Sequence, residues 1–189
     1  MNTQEIIKPA AALLAITVVA SALLGFVHEI TLEPIENQRI ANETNAIKTV
    51  FPSTSDVEDV PFTAPNSSSV TRAAEVKSGE EIIGYAVYAN PSGYGGPIEM
   101  MVGLYPNGSI AGIQILSHQE TPGLGANAAN PAFLTPFTDA NFELKVTKKA
   151  PADSNEIQAI TSATITSTAV VRGANDARQV WGAIAGGSQ

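Results

Sequence analysis

The chain of 189 residues has no cysteine, two histidines, one tryptophan and ten lysines and arginines in total. Without a thiol, disulfide stapling, thiolate zinc sites, cysteine-ligated iron–sulfur clusters and thiol catalysis are excluded, as is a lipid-modified cysteine near residue 20. Basic residues are scarce as well. The formal charge is −8, and from His28 onward 17 acidic side chains stand against 9 basic ones. Nucleic acid is therefore not an expected partner, because phosphate binding along a backbone needs a basic face. The apolar excess sits mostly before residue 28, and the remainder has the composition of an ordinary globular domain.

The one long hydrophobic run, Pro9 to Val27, holds 19 residues without a formal charge. As a helix it reaches roughly 28 Å, close to the thickness of a bilayer's hydrocarbon core. A retained single span is the reading adopted. Its rival is a cleavable secretory signal, since Ala20-Ser21-Ala22 offers a small-x-small cleavage pattern, but the run continues apolar through Val27. Lys8 and the terminal amine flank one side, diluted by Glu5, while Glu29 and Glu33 lie on the other. This asymmetry places the chain in the cytoplasmic membrane with its N-terminus in the cytoplasm and the remaining domain on the periplasmic or extracytoplasmic face.

Three regions make up the chain: a cytoplasmic tip and transmembrane helix over 1–30, a stalk helix and irregular connection over 31–66, and one domain over 67–189. Thr31 to Val50 reads as a mostly polar helix with Pro34 in its first turn. Phe51 to Asn66, crowded with Pro, Ser, Thr and Asp, reads as irregular, after which β-type segments begin. Glu81 to Ala89 mixes branched and aromatic residues as a strand does. Ile98 to Tyr105 and Ser109 to Leu116 flank Pro106-Asn107-Gly108, a hairpin turn in which Asn-Gly tolerates positive φ. These three segments are expected to share an antiparallel sheet, with Phe142 to Val146 offering a further strand. Val170, Val171, Ala174, Ala177, Trp181 and Ile184 recur at helical spacing, with Arg172, Asp176 and Gln179 turned outward and Ser167 or Thr168 as the cap. The fold class is α+β: one small domain with an antiparallel sheet and flanking helices behind a transmembrane helix.

Three segments carry more Gly, Thr and Ser than packing requires: 92–97, 118–125 and 159–167. The last precedes the final helix, whose unpaired N–H groups and positive dipole end suit a phosphate, although the same string also reads as a strand running into a cap. The turn at 121–125 can bring backbone close to a flat ligand, or be a plain surface turn with Glu120 solvated. A hydrolase using Thr164 or Ser167 would need His118 as its base, because His28 lies at the membrane edge.

Gly-Tyr-Gly-Gly-Pro-Ile at 93–98, Glu-Thr-Pro-Gly-Leu-Gly at 120–125 and Thr-Ser-Ala-Thr at 161–164, behind an N-terminal anchor, resemble the flavin-binding family shared by the G subunit of the Rnf complex and the C subunit of sodium-pumping NADH:quinone oxidoreductase. His118 and the Asn-Gly hairpin look like the Rnf branch. The resemblance implies FMN joined through its phosphate to the hydroxyl of Thr164 by a flavin transferase, with Thr166 the competing position. It also implies Thr161, Ser162 and Ala163 around the phosphate, Glu120, Thr121 and Leu124 beside the isoalloxazine ring, and Lys148, in competition with Lys149, touching flavin or phosphate. The subunit so implied is not catalytic alone but relays electrons among the other membrane subunits of an ion-translocating complex. The family usually has Gly where this chain has Ser162 and Asp where it has Gln158. Serine keeps that turn only if the backbone does not demand glycine, and failure there would leave an unflavinylated adaptor subunit.

Overall fold

The computed structural model describes residues 3–186 apart from 64 and 66, and the side chains of that span other than those of residues 3–6 and 8. The Lys8 and Glu5 side chains and the terminal amine, on which the orientation reading rests, lie outside what the structure describes. Two compact units make up the chain, one ending at Asn42 and one beginning at Glu43.

The first helix, α1, runs Thr3–Val50 and encloses both Pro9 and Pro34. A separate stalk helix starting near Thr31 is therefore not what forms, and Pro34 lies well inside α1 rather than in a first turn. A proline at 34 withholds one N–H from the Ile30 carbonyl and crowds that carbonyl with its ring, a local cost of about 3 kcal/mol that the rest of the helix absorbs. Just upstream, the Thr31 hydroxyl donates to the Val27 carbonyl at 2.8 Å. Between Pro9 and Val50 lies an 18-residue window of mean hydropathy 2.4, none of it buried, long and apolar enough to cross a membrane.

The second unit is built on a five-stranded antiparallel sheet in simple sequence order: β1 (Asp56–Asp59), β2 (Val70–Ser78), β3 (Glu81–Ala89), β4 (Glu99–Leu104) and β5 (Ile110–Ser117). The three strands read from the sequence are present, each end within one residue of expectation. The hairpin between β4 and β5 turns at Gly108 with φ 81°. Asn107 braces it by accepting from the Ser109 N–H and hydroxyl at 3.0 and 2.8 Å. Strand β1 corrects the expectation of an irregular 51–66. Its four residues hold one apolar side chain, so no hydrophobic alternation marks it; backbone bonds to β2, the Lys77–Glu58 and Arg72–Asp59 ion pairs and the packing of Val57 hold it in place. Phe142–Val146 is displaced in a similar way: the observed β6 is Lys145–Thr147, paired in parallel with β7 (Glu156–Gln158) in a separate two-stranded sheet.

Both faces of the main sheet are covered, which is why residues 84–89 of β3 are buried without alternation. On one face, Tyr85, Val87, Met100, Val102 and Leu104 pack with Val170, Val171, Ala174 and Val180 of the last helix, and with Phe133 of α2 (Pro131–Leu134) and Phe137 just beyond it. On the other, Ala46, Ile47 and Phe51 from the end of α1 cover Val76, Ala86, Tyr88 and Met101. Glycine makes that second contact possible. A Cβ at Gly84 would lie 2.5 Å from the Phe51 ring, and one at Gly103 2.5 Å from Val50. Arg72 adds a polar tie, bonding Glu43 at 2.8 Å while its guanidinium lies 3.9 Å from the centre of the Tyr88 ring.

The last helix, α3, spans Thr164–Ala185, so it starts three residues before the expected Ser167 cap. Neither Ser167 nor Thr168 caps it. Both lie near its start and donate back to the Ala163 and Thr164 carbonyls, at 3.0 and 2.8 Å. Arg172 and Gln179 do face solvent. Asp176 does not: it accepts from the Ser69 N–H and hydroxyl at 2.8 and 2.6 Å and ties the entry of β2 to the helix.

Candidate functional site

Three small-residue segments, at 92–97, 118–125 and 159–167, meet around one carboxylate. Glu120, at the end of the segment leaving β5, is only 6% exposed. Its Oε1 accepts from the backbone N–H groups of Tyr94 at 2.8 Å and Gly95 at 3.0 Å, and its Oε2 accepts from the Thr166 hydroxyl at 2.7 Å. A surface turn with a solvated Glu120 is thereby ruled out. Burial by itself pushes the carboxyl pKa up, but the bonds from Thr166, Gly95 and Tyr94, helped by nearby His118, outweigh it and hold the group below the ordinary carboxylate value.

Glycine is needed for this convergence. A Cβ on Gly93 or Gly125 would fall on the Glu120 carboxylate, and one on Gly95 would fall on the Gln119 carbonyl. The 92–97 segment closes on itself through the Gly93 N–H to Gly96 carbonyl bond at 2.7 Å and a bridge between Ser92 and Pro97. It is a pinned loop, and it projects the Tyr94 side chain, 73% exposed, outward.

Between Tyr94 and the start of α3 lies an open cleft of about 510 Å³, lined on one side by Tyr94, Glu120, Thr121, Leu124 and Gly125, and on the other by residues 162–166. That volume is in the range of small-molecule clefts, about 300–1,000 Å³. The hydroxyls at the helix start differ sharply. Thr166 is 1% exposed and its hydroxyl is committed to Glu120, and Ser167 is fully buried with its hydroxyl accepting from the Ile160 N–H at 3.0 Å. Thr164 is the first residue of α3, half-exposed, faces the cleft, and its hydroxyl makes no hydrogen bond among the described residues. Ala163 precedes it and supplies no side-chain cap, and no acidic residue occupies the first turn. The leading N–H groups of the helix thus have no side-chain cap, and they belong to residues that line the cleft.

Ser162 answers the question raised by its departure from glycine: its φ is 62°, in the left-handed region. The turn does ask for a residue that tolerates positive φ, and serine adopts it here under strain.

Of the residues singled out in the sequence, Ser162, Ala163, Thr164, Glu120, Thr121 and Leu124 line this cleft. Thr161 instead lines a neighbouring cleft of about 450 Å³ together with Gln158, Asn127, Asn130 and Phe133. Lys148 is on the segment after β6 and lines neither. His118 uses Nδ1 to accept the Glu120 N–H at 3.2 Å and is not among the cleft's lining residues, so it is not placed as the base that a Thr164 nucleophile would need. Three lining residues stood in the quoted segments without being named as site residues, Tyr94, Ile165 and Gly125. An aromatic residue flanked by glycines was the signal for the first; only the corrected helix start brings the second into view.

The FMN-binding domain family matches residues 93–179, which contain all but the first residue of the three segments. Over 183 residues the chain is 37% identical to the G subunit of the Na(+)-translocating ferredoxin:NAD(+) oxidoreductase complex of Acetobacterium woodii, covering 89% of this chain and 88% of that one. It is 31% identical to the G subunit of the ion-translocating oxidoreductase complex of Methanosarcina acetivorans, covering 90% and 91% respectively. NqrC of Shewanella oneidensis shares the fold, with a TM-score of 0.52 at 18% identity over 72% of this chain and 73% of that one. With a likeness to such subunits over most of both chains, and the glycine-rich segments of its FMN-binding domain gathered around one cleft, this chain belongs to the family of G subunits of ion-translocating oxidoreductase complexes.

Proposed function

We propose that this chain is a membrane-anchored electron-transfer subunit that carries FMN as a phosphoester on Thr164 and works within an ion-translocating ferredoxin:NAD oxidoreductase complex. The family likeness supports the cofactor and the complex. The observation that carries the attachment is the contrast between hydroxyls at the start of α3, where Thr166 and Ser167 are buried and bonded while Thr164 is open to the cleft.

The residues present fit the group. The uncapped N–H groups of α3 offer donors and a positive dipole end to a phosphate on Thr164, without a cationic side chain in the lining. Tyr94, Leu124 and Ile165 offer an apolar rim at the same cleft. When bound, FMN would supply the electron chemistry; the chain supplies attachment, orientation and a setting for its potential. The Glu120 charge does not oppose the phosphate as a bare carboxylate would, because three donors are already spent on it. A flavin transferase performs the attachment, and the anchor with its N-terminus inside holds the flavin domain on the outer side. One membrane helix provides no path for ions, so their movement belongs to the assembly.

Intact-protein mass after co-production with a flavin transferase tests this reading. The expected result is an increment of FMN minus water, lost in Thr164→Val and retained in Thr166→Val. An unmodified wild-type chain would overturn it and favour the second reading, an adaptor without flavin, for which the strained φ of Ser162 and the presence of Gln158 are the motivating observations.

A further inference from the structure

We infer that Tyr94 is the platform for the flavin ring, its phenol lying flat against one face of the isoalloxazine; the inference rests on the Thr164 attachment proposed above. Among the described residues outside α1, the exposed large hydrophobic side chains are Tyr94, Tyr105, Leu124 and Ile165, and all but Tyr105 border the one cleft. An apolar rim gathered at a concave site marks a surface that something apolar covers. Tyr94 is the sole ring among those lining residues.

Its position is fixed by the backbone. The N–H of Tyr94 and that of Gly95 are held by Glu120, and Gly93 and Gly95 are packed too closely to admit side chains. Glu120 at the same time holds Thr166, two residues from the attachment point. One carboxylate therefore fixes the spacing between the phosphate anchor and the ring wall. A loop this constrained, ending in a phenol exposed over 73% of its surface, is poorly explained by folding alone, since that side chain buries little. Planar aromatic faces prefer offset stacking, and a flavin ring tethered at Thr164 offers such a face.

The test uses the full-length protein, co-produced with a flavin transferase, as wild type, Tyr94→Leu, Tyr94→Phe and Tyr105→Leu. A phenol in contact with an excited flavin donates an electron to it and recovers it on return to the ground state, which quenches emission without net chemistry. Wild type is expected to fluoresce weakly. Tyr94→Leu and Tyr94→Phe should brighten several-fold at unchanged flavin mass, Phe because it stacks but does not donate. Tyr105→Leu should stay dim. Because the exposed Tyr94 side chain buries little, the Tyr94 variants should melt with wild type. Equal emission from wild type and Tyr94→Leu, both carrying the FMN mass, would overturn the platform and leave the attachment standing. Absence of the mass increment from every variant would overturn the attachment and the platform with it.

Discussion

Glu120 shows how a single side chain can tie together the segments that line a site. The 92–97 loop and the start of α3 both donate to its two oxygens, and their hydrogen bonds hold its carboxyl below the ordinary value. A depressed folded-state value means that the stabilisation is complete above the unfolded-chain value, about 4.3, and is lost as pH falls through the lower folded value. Glu120→Gln keeps the shape, removes the charge and should flatten that part of the curve. Glu120→Ala leaves two loop N–H groups and the Thr166 hydroxyl without their acceptor and should cost about 3 kcal/mol. Thermal melts from pH 7 down to pH 3 check both. An acid profile of Glu120→Gln matching wild type would show that the carboxylate contributes nothing to acid stability.

At the scale of elements, the start of α3 is decided by a turn. Three consecutive residues do different work: Ser162 takes φ 62°, Ala163 enters the helix without capping it, and Thr164 opens the first turn. Serine in the left-handed region costs more than glycine would, by roughly 1 kcal/mol. Part of that difference is offset by the greater freedom glycine has when unfolded. Ser162→Gly is therefore expected to raise the melting temperature by a few degrees and to leave flavin attachment at Thr164 intact or more complete. Calorimetry with intact mass measures both, and a lower melting temperature would show that the serine side chain contributes something beyond the turn. The same backbone logic explains the other face of the sheet, where Gly84 and Gly103 clear the space that Val50 and Phe51 occupy.

For the whole molecule, the compact unit from Glu43 onward includes the end of α1, and Ala46, Ile47 and Phe51 are among its buried residues. We expect a 43–189 fragment to fold as a soluble, cooperative domain. A 52–189 fragment should not, because it uncovers Val76, Ala86, Tyr88 and Met101. Removing such a buried aromatic contact costs about 3–5 kcal/mol for Phe51 alone, a large share of the usual stability of a small domain. Circular dichroism melts and size-exclusion chromatography of the two fragments decide the matter, and equal behaviour would mean that the helix end is dispensable.

Much of this was legible in the residues themselves. Branched and aromatic side chains marked β3, β4 and β5, and Asn107-Gly108 marked the β4–β5 hairpin, because local backbone preference and periodicity act over a few residues and need no partner. Glycine-rich segments pointed to the cleft and Thr164 to its edge. Strand β1 was hidden because a four-residue acidic edge strand owes its existence to β2, and the continuity of α1 was hidden because Pro34 looks like a helix start when its upstream turns are read separately. The start of α3 is not legible in the sequence because Ser167 and Thr168 resemble caps, whereas their hydroxyls bond backward to carbonyls. The order of residues alone determined the apolar anchor, the strand-rich domain and the segments that carry the site. Which carboxylate joins those segments, which threonine keeps a free hydroxyl and which aromatic stands over the cleft were decided only in three dimensions, because hydrogen bonds such as Glu120–Thr166 span dozens of residues and no local preference encodes them.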